Sequence, residues 1–211
     1  MAVAIANDTF VEGSDTTLTS HTPTGTNAGA GWATAAGGGT ATVRAATDDV
    51  VDASGASGNR FRMTTDLGSA QMNVSAVITS TAAALAFPGV LFRVSSAGSG
   101  GEFTYDSGTR WYVFDGVTET TATEAWPGGA VTMLMQNRTG SQRAYVNGAL
   151  KITVSADNLN TNQYGGLILG NFTGSAGQSS ADDFLSSGFL TGPLIGGRLL
   201  RGGITAGTVL R

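Results

Sequence analysis

The chain has no cysteine among its 211 residues. It therefore forms no disulfide and offers no thiolate to a metal. It has one histidine, His21, and one lysine, Lys151. A Ser-His-Asp triad would have to use that histidine, yet no G-x-S-x-G nucleophile turn accompanies it. His21 sits in a Thr/Pro/Gly stretch and reads as a loop residue. No G-x-x-x-x-G-K-[ST] phosphate loop occurs. Charged residues make up 12% of the chain, about half of the roughly 25% usual in soluble domains. The net charge is −4, which argues against a nucleic-acid partner, since such a surface needs a basic face. No apolar run approaches the roughly 18 residues of a membrane span, so no membrane partner is expected. The start, MAVAIANDTF, has neither the basic n-region nor the apolar length of a signal peptide.

What is abundant is small. Glycine alone accounts for 32 residues, and Ser, Thr and Ala are plentiful, a composition suited to short strands and tight turns. Alternation at period two predicts strands. Met72, Val74, Ala76 and Ile78 share one face. So do Val90, Phe92 and Val94, with Arg93 pointing away, and so do Val131, Met133 and Met135. Two β-rich runs flank Asn147-Gly148, the dipeptide favoured in a type I′ hairpin turn. Asp115-Gly116 offers a second such turn, and Asp106-Ser107-Gly108 a third hairpin. The best helical candidate is residues 79–87, one or two turns stopped by Pro88. Residues 22–40 read as loop around Trp32. The sum is an all-β antiparallel sandwich of jelly-roll type.

The segments EFTYDSGTRWYVFDG, VTMLMQNRTGSQRAYVNGALKITVS, YGGLILGNF and ADDF resemble the concanavalin A-like, laminin-G-like jelly roll. The likeness covers roughly residues 7–190. A fold of this kind serves lectins, glucanases, adhesion modules and virion proteins alike, so the site must decide the function.

The resemblance brings one chemistry to test. Its glucanases carry acids at i and i+2 of one strand, which places them on one face. Retaining hydrolysis needs two carboxyls about 5 Å apart. Glu102, Glu119 and Glu124 have no acidic neighbour at i±2, and Asp182-Asp183 are consecutive. The expectation from this test is a protein that is not an enzyme. No cofactor is expected. Calcium is the one candidate ion, at Asp48, Asp49 and Asp52 or at Asp157, Asn158, Asn160 and Asn162, residues that also form turns by bonding their own backbone. Trp32, Trp111, Trp126, Tyr105, Tyr112 and Tyr145 are candidates for stacking on a glycan or for filling the core.

The last 20 residues differ from the rest. They hold Arg198, Arg201 and Arg211 and no acid, whereas residues 1–191 hold 8 basic against 15 acidic residues. They also hold Leu194, Ile195, Leu199, Leu200, Ile204, Val209 and Leu210, spaced by glycine. The pattern resembles the arms by which small phage proteins clasp their neighbours. It suggests a sandwich over 1–191 and a docking arm over 192–211, with self-association or a major capsid protein as partner. The resulting expectation is a structural, decorating protein of a tailed-phage virion. The alternative is a carbohydrate- or receptor-binding module.

Overall fold

The structure is a computed structural model that describes residues 5–24, 31–36, 39–54, 59–80, 87–106, 109–156, 158–159, 161–169 and 179–189. The first eight strands are β1 (Ile5–Asp8), β2 (Thr16–Thr17), β3 (Trp32–Ala36), β4 (Thr40–Arg44), β5 (Asp49–Ser54), β6 (Asn59–Met63), β7 (Met72–Ser80) and β8 (Gly89–Val94). The next eight are β9 (Gly101–Asp106), β10 (Arg110–Phe114), β11 (Glu119–Thr123), β12 (Ala130–Arg138), β13 (Ser141–Val146), β14 (Ala149–Val154), β15 (Tyr164–Leu169) and β16 (Ser179–Gly188). A single 3-10 turn, Leu18–Ser20, is the only helical element among the described residues.

Two antiparallel sheets result. The nine-stranded sheet runs β14-β13-β12-β7-β16-β5-β4-β2, and β1 also pairs with β16. The seven-stranded sheet runs β11-β10-β9-β8-β15-β6-β3. Their inner faces meet in one core, as strand alternation requires. β7 and β12 supply Met72, Val74, Ala76, Ile78, Val131, Met133 and Met135, all buried. Opposite them lie Phe61, Met63, Val90, Phe92, Phe103, Tyr105, Trp111, Val113, Leu167 and Leu169. The predicted all-β sandwich is therefore the fold.

Local departures have local causes. Asn147 and Gly148 take φ of +49° and +79°, the two left-handed residues of a type I′ turn between β13 and β14. Asp115-Gly116 does not make the same turn. Asp115 caps a four-residue loop, its Oδ1 accepting the backbone N–H of Val117 at 2.9 Å and of Thr118 at 2.7 Å. Strand β3 occupies part of the stretch expected to be loop. Val94 does not share the face of Val90 and Phe92. Arg93 takes a φ of +48°, and the bulge turns Val94 outward to Leu91 and Ile168. Arg93 turns inward instead of away: it is 1% exposed, and its Nε donates to the carbonyl of Ala70 at 2.9 Å and its Nη1 to that of Asn158 at 2.7 Å. Of the expected helical turn, Thr79 and Ser80 belong to β7, and residues 81–86 lie outside the described set.

Candidate functional site on the outer face of the seven-stranded sheet

Alternation that sends Phe61, Phe103 and Trp111 inward sends their neighbours outward. Arg60 and Arg62 leave β6, Glu102 leaves β9, and Tyr112 and Phe114 leave β10. Cross-strand register sets these into rows. Leu91 pairs with Glu102, Glu102 with Phe114, and Phe114 with Glu119. In the next row Gly89 pairs with Thr104, Thr104 with Tyr112, and Tyr112 with Thr121.

A groove of about 390 Å³ opens on this face. Leu91, Val94 and Phe114 give it apolar walls, Arg60 and Glu102 polar ones, and Ala35 with the turn at Gly98–Gly100 closes one end. Gly98 has a φ of +94°, and a Cβ there would collide with the Ala35 carbonyl, so only glycine seats this turn on β3. Arg62 fixes the same turn by donating from Nη2 to the Ser96 carbonyl at 3.0 Å, with its guanidinium over the Tyr164 ring at 4.7 Å.

Inside the groove Arg60 Nε donates to Glu102 Oε1 at 2.6 Å. A second pair, Arg110 with Asp106 at 2.6 Å, flanks it. Arg60, Arg62 and Arg110 thus balance Glu102, Asp106 and Glu119, and among the described residues this face carries no net charge. Burial, then the charges of Glu102 and Glu119, hold the Tyr112 phenol above its ordinary range. It is a neutral donor, with its hydroxyl 3.4 Å from Glu119 Oε1. Thr104 Oγ1, beneath the same face, is buried and finds no hydrogen-bond partner among the described residues.

The other candidate residues are placed as follows. Trp32, Trp111 and Tyr105 are core residues, which removes them from any glycan surface. Tyr112 faces outward here. Tyr145 is half-buried on the outer face of the nine-stranded sheet, and Trp126 is half-buried, packed against the core. The Arg60–Glu102 pair carries no sequence signal of a site; only the strand order of the sheet brings it to the groove.

Of the calcium candidates, Asp49 is bound to the Arg44 guanidinium and to Thr47. Burial alone would raise its pKa, but those hydrogen bonds hold it below the usual carboxylate range. Asp48 occupies the turn before it at φ +48°, and only the backbone of Asp52 is described. Asn158 Nδ2 donates to Asp115 at 3.0 Å, Asn162 donates its backbone N–H to Leu159, and Asp157 and Asn160 lie outside the described residues. No cluster of three or more His or acidic groups able to hold a metal exists among the described residues.

His21 lies in a loop as expected but is not an idle loop residue. Its side chain is buried, with Nε2 at 2.9 Å from Asp8 and Nδ1 at 2.6 Å from Glu12. Asp8 also accepts the Trp32 indole N–H at 2.7 Å. The docking-arm residues Leu194, Ile195, Arg198, Leu199, Leu200, Arg201, Ile204 and Arg211 all lie outside the described residues.

This architecture defines a concanavalin A-like jelly-roll sandwich. No protein-family model and no curated protein sequence matches the chain. Solved structures do match it. A Bacillus licheniformis β-glucanase aligns over 90% of this chain and 100% of its own, at 12% identity and a TM-score of 0.58. Rv0315, an immunostimulatory antigen and pseudo β-1,3-glucanase of Mycobacterium tuberculosis, aligns over 87% and 98%, at 12% identity and 0.58. The carbohydrate-binding module CBM66 of Bacillus subtilis aligns over 72% and 91%, at 13% identity and 0.51. Likeness at this identity establishes the fold and does not bear on the virion role.

It does overturn one expectation, that the chain is not an enzyme, because a β-glucanase is built on the same sandwich along its whole length. That exclusion compares acids only along single strands. The sheet also juxtaposes residues across strands, and there Glu102 and Glu119 stand in one row on one face.

Proposed function

We propose that the protein binds a neutral glycan in the groove on the outer face of the seven-stranded sheet. The Arg60–Glu102 pair beside the Leu91 and Phe114 walls carries the reading. Arg60 offers N–H donors and Glu102 offers acceptor oxygens a hydrogen-bond length apart, a match for adjacent sugar hydroxyls. The apolar walls suit the C–H face of a pyranose ring. The balance of charge among the described residues of the face favours a neutral sugar over a uronate. The shared sandwich of CBM66 and of the glucanases supports this reading at the level of fold.

Titration calorimetry with soluble neutral β-glucan oligosaccharides, and with alginate oligosaccharides as the anionic control, tests it. We expect binding to a neutral glycan that Phe114→Ala and Arg60→Ala each weaken at least about tenfold, the 1.4 kcal/mol scale of one good contact. Tyr145→Ala, on the other sheet's outer face, should leave affinity unchanged. Binding that is lost in Tyr145→Ala and kept in Phe114→Ala would put the glycan on the wrong face.

A further inference from the structure

The outer face of the nine-stranded sheet carries an apolar row. Leu185 of β16 pairs with Ser75 of β7, Ser75 with Leu134 of β12, Leu134 with Tyr145 of β13, and Tyr145 with Leu150 of β14. Paired residues of an antiparallel ladder share a face, so the five stand in line. Leu185 is 40% exposed and Leu150 52%, and Leu134 and Tyr145 are half-buried. At about 4.8 Å between neighbouring strands, the row is roughly 19 Å long. Ser75, its one small member, leaves a notch between two leucines. Charge divides on either side. Arg143 stands in the next row toward the end of β16. On the other side Asp182 is in register with Val77. Burial, then the charges of Asp183, Asp49 and Asp48, hold its carboxyl above the usual range. Arg44 neutralises Asp49, but Asp48, Asp182 and Asp183 form no ion pair among the described residues.

One segment of this chain is complementary to such a surface. In GGRLLRGG, Leu199 and Leu200 lie between Arg198 and Arg201, and glycine on both sides frees the backbone to turn. We infer that residues 198–201 dock across this row of their own chain, the leucines at the Ser75 notch and the arginines toward Asp182 and Asp183. The segment itself lies outside the described residues, but its point of departure does not. Phe189 donates its backbone N–H to the Gln71 carbonyl at 2.9 Å, and the Arg138 guanidinium lies over its ring at 3.5 Å. Leu185 is four residues back along β16, roughly 13 Å away. The nine residues from Phe189 to Arg198 reach up to about 30 Å, which is ample. Attachment to the same chain gives an effective concentration on the order of millimolar, so the row is filled from within before a second copy competes for it. This docking is independent of the groove, which lies on the other sheet.

Trypsin tests it, because it cuts after Arg198 and Arg201. The full chain is digested at two protein concentrations, with a free peptide of residues 192–211 as reference, and mass spectrometry follows the first cuts. We expect cutting at these arginines to be at least about tenfold slower than in the peptide, since only the undocked fraction is cleaved, and to be independent of protein concentration. Leu134→Ser combined with Leu185→Ser should bring the rate to within a few-fold of the peptide. Asp183→Asn should raise it severalfold without disturbing the backbone, because Asn tolerates the φ of +47° there. That exposed single variant carries the test if the double variant melts early. A tail cut as fast as the peptide overturns the inference. So does protection that Asp183→Asn and the serine variants leave intact, which would put the tail elsewhere. Protection that grows with protein concentration would give the row to a second copy and overturns docking within the chain.

Discussion

Arg93 shows how much one backbone conformation decides. Its φ of +48° inserts a bulge in β8 opposite β15, and everything after it changes sides. The guanidinium enters the molecule and holds the carbonyls of Ala70 and Asn158, which lie on segments of different origin. Val94 is released to the groove wall. A strict period of two in GVLFRVSS predicts the reverse for both residues, because a bulge leaves no mark in the hydrophobic pattern when the bulged residue is a long cation. The consequence is measurable. Arg93→Met keeps the length of the side chain and leaves buried carbonyls without their donor, at about 1–3 kcal/mol for each group left unpaired. Urea unfolding should show a loss of about 2–5 kcal/mol. A variant of wild-type stability would mean that other donors satisfy those carbonyls.

At the scale of the strand and the hairpin, local chemistry was legible and pairing was not. The alternations in β7 and β12 and the Asn147-Gly148 turn are written in adjacent residues, and they appear as expected. A Cβ added at Gly148 would meet nothing within 4 Å, so the role of this glycine is conformational and not one of space. Gly148→Val should therefore cost about 1–3 kcal/mol through backbone strain alone, whereas Gly148→Asn should cost much less, since Asn tolerates the left-handed region. Equal melting temperatures for the Val and Asn variants would contradict this account of the turn. The groove, by contrast, is made by neighbours distant in sequence. Arg60 and Glu102 are 42 residues apart. Glu102 and Glu119 share a row, with Phe114 between them, only because β9, β10 and β11 form a meander in a particular register. Sequence shows that neither acid has an acidic neighbour two residues away; it cannot show that the next strand but one brings a second into the same row. His21 escapes sequence reading for a similar reason. Its partners are Asp8 and Glu12, and a lone histidine between a serine and a threonine gives no sign that it will be covered.

At the scale of the whole molecule, that histidine joins the two sheets. Asp8 belongs to β1, which pairs with β16 in the nine-stranded sheet. Trp32, whose indole donates to Asp8, begins β3, the edge of the seven-stranded sheet and the strand that carries Ala35 to the groove. Both ring nitrogens of His21 face carboxylate oxygens, so both act as donors and the ring is an imidazolium. Burial alone would lower its pKa, but the hydrogen bonds and charges of Asp8 and Glu12 outweigh this and raise it above 6.5. A raised histidine stabilises fully below its unfolded value of 6.5 and loses that contribution as pH climbs through the folded value above it. Asp49 has the opposite sign: held below 3.8, it stabilises above that pH and ceases to do so as pH falls through its folded value. Asp182, raised above 3.8 by burial and then by the nearby acids Asp183, Asp49 and Asp48, loses its contribution as pH rises through the folded value. The three together place the maximum of stability in mildly acid solution. Thermal melts from pH 5 to pH 9 should show Tm falling on the alkaline side, beginning above pH 6.5, and His21→Gln should flatten that fall while lowering Tm at about pH 5.5. Because β3 borders the groove, wild-type glycan affinity should weaken over the same alkaline range. A wild-type Tm that stays level or rises from pH 6.5 to about 9 would mean that the buried ring is neutral and that this corner does not depend on its charge.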